Sequence, residues 1–388
     1  MKHERLHYID WLRLMAVFLL FTFHSARIFD PFENFYVHSL ESSPLLTCVF
    51  VWVVSPWFMS LFFLLAGAST YLALKFRTGS EYRKERFLRL LIPFFFGLLI
   101  LIPPQSYLGL ISHSTSSPSY LSWYPSFFHL NLEDMDGYYL GGLTFGQLWF
   151  ILHLFIYSVV ALPLFLYLNR ETGRKWIHRL AGAFTHPAFL FLLIPLFLIL
   201  LSQFPEVAGG NPLFYMAFFI SGFLLMADPR FTDTIDTHRR ILLLLGFVPF
   251  LIGIALIAGG FLPVSSGIGD VIMSAYAEGF VSWFVVLAFM AYGRRVLNFT
   301  NRFLGYFSEG AYPLYILHQT VIVVVGFFVL QLALPVIGQF VLILSFSLLG
   351  SVLIYDLLVR RNRITRFLFG MKTRVVLLSE EQTPSPSE

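Results

Sequence analysis

Apolar runs long enough to cross a bilayer as helices, roughly 17 to 25 residues each, recur along this chain with short polar connections between them. They cover 8–26, 50–74, 90–111, 144–168, 187–203, 212–227, 241–262, 271–292, 311–331 and 338–359. The pattern predicts an all-α fold, a polytopic integral membrane protein of about ten transmembrane helices. One membrane domain is expected over 1–375, followed at 376–388 by a polar, proline-containing stretch that should form a disordered cytoplasmic tail. The first run is long for a signal peptide and ends in HSARIFD, without a small-x-small cleavage site, so it reads as a retained helix.

Charge sharpens this picture. Lysines and arginines concentrate in cytoplasmic connections of membrane proteins. With both termini cytoplasmic, the inner segments hold Lys2 and Arg5, the clusters at 75–89 and 170–179, Arg230, Arg239, Arg240, Arg294, Arg295, Arg302 and the basic stretch from Arg360 to Arg374. Arg27 alone among the basic residues outside helices then falls on the other side. The bias places a multi-pass protein in the cell (inner) membrane and accounts for the net charge of +4 without a nucleic-acid partner. Only 12% of residues are charged, about half the share of a soluble domain. The single cysteine, Cys48, rules out an intrachain disulfide and a thiolate metal cluster.

Against this apolar background the ionisable residues stand out, because charge at membrane depth must be offset by partners or by a water-filled cavity. Arg13 and His24 are eleven residues apart in the first helix, about 17 Å along its axis and about 20° around it, so they share a face. Snorkelling of the arginine to the interface is the plainer reading of that residue. Arg86 and Arg89 open the third helix three residues apart, on one side of it, and guanidinium groups bind phosphate bidentately. Glu278 enters the eighth helix at roughly 10 Å depth, within reach of His24, and can orient its imidazole. His318, with Tyr315 one turn below, and His153 with Gln147 also read as helix-to-helix hydrogen bonds. Asp270, Glu309 and Gln319 complete the buried polar set. The long connection at 112–143 is aromatic and acidic, with Trp123, Tyr124, His129, Glu133, Asp134, Asp136, Tyr138 and Tyr139. It suits either a polyhydroxyl ligand or an interfacial belt. No histidine pair has metal-ligand spacing, so no metal is expected.

The segment IDWLRLMAVFLLFTFH resembles the first helix of the acyltransferase-three family of membrane O-acyltransferases, marked by a basic residue, ten intervening residues and a histidine. The family's Arg-x-x-Arg is met by Arg86 and Arg89, after SLFFLLAGASTYLAL, which is similar to its Phe-Phe-x-Leu-Ser-Gly segment with Ala66 in place of the serine. LWFILHLF at 148–155 and EGAYPLYILHQTVIV at 309–323 resemble a branch that decorates periplasmic glucans with succinyl groups. Leu14 departs from the glycine that many relatives carry there. The resemblance spans essentially the whole chain.

It implies acyl transfer from acyl-CoA, a co-substrate rather than a bound cofactor, to a carbohydrate hydroxyl. Arg86 and Arg89 would hold the donor phosphates, Arg13 would stand on the donor path, and His24 would act as base. Asp10, His318 and Tyr315 are supporting candidates. The competing expectation is a transporter or flippase for a lipid-linked sugar or small metabolite, built on the same buried groups. Cysteine labelling tests the topology: a residue placed at 75–89 should react only with reagents that reach the cytoplasmic face. Labelling from outside would remove the basis of the donor site.

Overall fold

The computed structural model describes residues 6–114, 118–130, 139, 141–259 and 268–371, and side chains are described for all of these except 257, 258 and 268–270. The tail at 376–388, the acidic residues Glu133, Asp134 and Asp136, Tyr138 and the side chain of Asp270 therefore lie outside the described residues. The described chain is all-α, apart from an isolated backbone bridge between Val207 and Gly210.

Each of the ten apolar runs is helical over most of its described residues. α1 is His7–Arg27, α2 Pro44–Leu74 and α3 Gly79–His113. α4 runs through Gly146–Val160 and Leu162–Leu168, bent by 47°. Pro163 lies at the first turn after that break, where a missing N–H costs no helical bond. α5 (Glu171–Phe184) and α6 (Phe189–Ser202) meet at 92°. α7 is Pro212–Ala227, α8 Pro229–Ala258, α9 Val271–Val296, α10 Arg302–Val329 and α11 Val336–Val359. Seven of these are long and apolar enough to cross a membrane, the two bent pairs can each form one more span, and α7 is a shorter apolar helix.

The bundle is layered around α1, α2 and α10. Two thirds of the apolar window of α10 is buried (67%), against 28% for α8 and for α11, which present their outer faces to the surroundings. In lipid there is little hydrophobic drive between helices, so close packing has to come from shape. The closest crossing joins α2 to α7. A Cβ on Gly67 would fall 1.8 Å from the Phe219 carbonyl oxygen, and one on Gly222 would fall 1.9 Å from that of Leu64. Gly67 belongs to the FFLLAGAS stretch singled out in the sequence, whose small residues let the two backbones touch.

Two elements extend beyond the hydrophobic pattern. α8 begins at Pro229 rather than at 241, because Arg230, Asp233, Asp236, Arg239 and Arg240 continue the helix as a polar first third. α5 is an amphipathic helix that buries Gly173, Ile177, Ala181 and Phe184 and leaves Trp176 exposed. Hydropathy shows neither, since both are helical without being apolar. Replacing Gly222 by leucine should prevent α2 and α7 from docking. Overpacking ordinarily costs about 1–3 kcal/mol, and a backbone clash has less room to relax, so the detergent-solubilised variant should melt several degrees lower or fail to elute as one species. Gly305, whose Cβ would meet nothing within 4 Å, is the control, and alanine there should melt like wild type.

Candidate active site

α1, α2, α4, α8, α9 and α10, with the 206–209 loop, enclose a cavity of about 1250 Å³, larger than the roughly 300–1,000 Å³ of most small-molecule sites. His24, Tyr315, His318 and Gln319 line its deep part, and Arg27, Glu33, Tyr139 and Glu206 come from segments at the same end of the bundle. The C-terminal third of α1 delivers His24 there. Its ring is stacked on Phe35 (centroids 5.8 Å apart, planes 20°) and meets Phe23 edge-on at 5.0 Å. Nδ1 of His24 is buried without a hydrogen-bond partner, while the residue itself opens to the cavity. The His318 ring lies 5.1 Å away.

Beneath the histidines a side-chain amide network ties α3, α4 and α10 together. Gln105 donates to Gln147 at 3.0 Å and to Thr320 at 2.8 Å, and Gln319 donates back to Gln105 at 3.1 Å. Gln147 also donates to the Ile316 carbonyl at 2.8 Å, and the Tyr315 hydroxyl donates to the Gln147 carbonyl. A satisfied buried network of this kind fixes the geometry of what sits on it. Gln147, expected as a simple helix-to-helix contact, makes that contact and lines the cavity as well. His153 bonds the Trp149 carbonyl of its own helix at 3.0 Å.

Glu206 carries no signal in the sequence. Asn211 builds its loop: the side chain caps α7 by accepting from the Leu213 and Phe214 amides, and it donates to the Leu201, Ser202 and Phe204 carbonyls at the end of α6. The turn between is closed by mutual backbone bonds of Val207 and Gly210 (2.9 and 3.3 Å), with Ala208 at φ 56° and Gly209 at φ 92°, the paired left-handed geometry of a tight hairpin. The Glu206 side chain therefore faces the cavity. Partial desolvation, followed by the carboxylates of Glu278 and Glu33, raises its pKa above the ordinary glutamate value.

Other predicted residues are placed differently. Glu278 does not orient His24. Its carboxylate accepts from the Ser202 hydroxyl on α6 and does not line the cavity. A π-helical turn at Tyr276–Val281 changes the rotation of α9 there, so depth along the helix did not fix the direction it faces. Arg13 is about 17 Å from His24 along α1 and lies outside the cavity lining. It is held by Asp10 at 3.3 Å and by Ser69 at 2.8 Å, which joins α1 to α2.

Arg86 and Arg89 do not act as a matched pair. The π-helical turn Phe87–Leu91 starts directly after Arg86 and contains Arg89, which changes the rotation between the two. Arg89 is engaged by Glu85 at 3.0 Å and by the Gly370 carbonyl at 2.9 Å, so it straps the C-terminal segment to α3. Arg86 stacks over the Tyr82 ring at 4.7 Å, and its Nε is buried without a hydrogen-bond partner. The Tyr312 hydroxyl, within electrostatic reach of both arginines, is likewise buried and unpartnered. In the 112–143 connection, Trp123 packs on Tyr107 and Tyr124 donates to the Leu99 carbonyl, so both brace α3, whereas Tyr139 lines the cavity.

Comparison with known proteins gives a family match. A family model described as an acyltransferase domain, of the acyltransferase-three type, matches residues 6–356. Glucans biosynthesis protein C of Escherichia coli strain K12 is 23% identical over 403 residues, covering 98% of this chain and 98% of the relative. The protein of the same name from Shigella dysenteriae serotype 1 shows the same identity and coverage. No solved structure matches significantly.

The environment of Glu206 yields a prediction that needs no substrate. In difference infrared spectra between wild type and Glu206→Gln, the carboxyl band should titrate with a midpoint above the ordinary glutamate value. A midpoint at or below that value would show a freely solvated side chain.

Proposed function

The chain belongs to the acyltransferase-three family, and on that premise we propose that this multi-pass membrane O-acyltransferase moves an acetyl- or succinyl-class group from cytosolic acyl-CoA to a hydroxyl of an extracytoplasmic carbohydrate, such as a glucan or envelope polysaccharide. The relatives' name, glucans biosynthesis protein C, supports the acceptor class. The observation that carries the reading is the separation of two sites with unsatisfied polar atoms: an imidazole opening to a large cavity at one end of the bundle, and a guanidinium with a buried, unpaired Nε at the other. A donor made in the cytosol and an acceptor outside it require such a division.

On this reading the phosphates of the donor bind Arg86, with Tyr312 adding a hydroxyl, and the acyl arm extends past Arg13 toward His24. The acceptor enters the cavity beside Glu206 and Tyr139, where carboxyl, phenol and amide groups suit hydroxyl-rich ligands. His24 takes the proton of the attacking hydroxyl as its oxygen adds to the thioester carbonyl. The new C–O bond forms, the C–S bond breaks, and the protonated imidazole returns its proton to the departing thiolate. Membrane depth favours neutral imidazole as the resting state, because burial penalises charge. The lipid bilayer is the remaining partner, and the inner membrane is the site that fits the charge bias.

Three substitutions test this. His24→Gln keeps a polar group but no base, so transfer should fall at least about 100-fold with acyl-CoA binding retained. Near-normal turnover by that variant would remove the base assignment. Arg86→Ala should weaken donor binding about 10- to 100-fold, the loss of one charge-assisted bond of about 1.5–3 kcal/mol. Arg89→Ala should instead expose the C-terminal segment to protease with a smaller effect on donor affinity. Equal effects of the two on binding would restore them to a matched pair.

A further inference from the structure

We propose that His318 is a positioning residue that fixes which nitrogen of His24 carries the proton, so that His24 and His318 work as a dyad; the catalytic half of this rests on the transferase reading above. A carbonyl oxygen can only accept a hydrogen bond, since it has no proton to give. His318 Nδ1 is bonded to the backbone carbonyl of Tyr315, one turn earlier on α10. That nitrogen must therefore be the protonated one. In neutral His318 the other nitrogen, Nε2, is then a bare lone pair, and it is buried without a partner.

Facing it across the α1–α10 contact is His24, whose Nδ1 is also buried and unpartnered. The ring centroids are 5.1 Å apart, a separation at which a nitrogen of one ring can be brought within N–H hydrogen-bond range of a nitrogen of the other. The two orphans are complementary. One is obliged to accept, and the other can donate if the His24 proton resides on Nδ1. A small rotation of either ring makes the bond, and catalytic hydrogen bonds are often misaligned until substrate closes the site. Leaving both nitrogens unmade would bury two polar atoms with nothing to offset their lost hydration.

The consequence falls on the third nitrogen that matters. With Nδ1 of His24 protonated and directed at His318, Nε2 of His24 is proton-free and is the nitrogen left for the cavity. That is the lone pair a base needs. The reverse tautomer would bury a bare Nδ1 against a second lone pair and present an N–H to the acceptor hydroxyl. The tautomer of His318 is itself set by the α10 backbone, and its ring is held by Phe21 at 5.9 Å and Tyr315 at 5.5 Å. The chain of control runs from a main-chain carbonyl through two imidazoles to the reacting hydroxyl. It uses no carboxylate, consistent with Glu278 facing α6 instead.

Nitrogen NMR of histidine-labelled protein in lipid, with the His24 signals assigned by their loss in His24→Gln, reads the tautomer without any substrate. Wild type should show Nδ1 protonated and Nε2 bare. In His318→Phe the proton should return to Nε2, where it can face the cavity water. His318→Gln, whose carbonyl can accept in place of imidazole, should keep the wild-type pattern. In transfer assays His318→Phe should lose about 10- to 100-fold in kcat, the usual cost of removing an orienting partner, at unchanged KM for the donor, and His318→Gln should recover most of it. A proton on Nε2 of His24 in wild type, or spectra insensitive to His318→Phe, would overturn the inference. The expected tautomer in a protein that transfers nothing would uphold the dyad while refuting the transferase reading.

Discussion

An imidazole placed at membrane depth has no water to satisfy both its nitrogens, and the contact between α1 and α10 is where this protein meets that cost. His24 is clasped by Phe23 and Phe35 and faced by His318, and the glutamine and threonine network under His318 fixes where α10 stands against α3 and α4. Weakening that network would let the rings drift by fractions of an ångström. The proposed proton transfer would tolerate little such drift. The large cavity is the other half of the solution, because it brings solvent or substrate to one edge of the ring only.

Much of this was legible from residue order. The apolar runs located the long helices, seven to nine of which among the described residues can cross a membrane, and the eleven-residue interval from Arg13 to His24 put two polar residues of α1 against neighbouring helices. The FFLLAGAS stretch and the 309–323 segment proved to be a close helix crossing and one wall of the cavity. What the order could not show is rotation. Two π-helical turns, one at Phe87–Leu91 and one at Tyr276–Val281, each insert a change of phase that a constant 100° per residue misses. This is why Arg89 turns to Glu85 and the Gly370 carbonyl, and Glu278 to α6. Glu206 was invisible for a different reason: its position depends on Asn211 bridging two helix ends, a tertiary effect with no period.

The division of labour between the two arginines has a wider consequence for reading short basic motifs. Arg89 spends its charge on Glu85 and its fork on the Gly370 carbonyl, so its requirement in the motif is architectural. Arg86 retains unspent donor capacity beside an unspent hydroxyl at Tyr312. On the proposed reading the motif combines one residue that builds the mouth of a site with one that binds there, and loss of activity on mutating either does not separate the roles.

The account stands or falls on donor and acceptor meeting from opposite sides of the membrane. Purified protein reconstituted in one orientation in vesicles allows labelled acyl-CoA and an oligosaccharide to be supplied on chosen sides, with product read by mass. Acylated sugar should form when the donor is on the Arg86 side and the acceptor on the His24 side, and not with the sides exchanged. Product formed with both substrates confined to either single side, or sugar carried across unmodified, would contradict it.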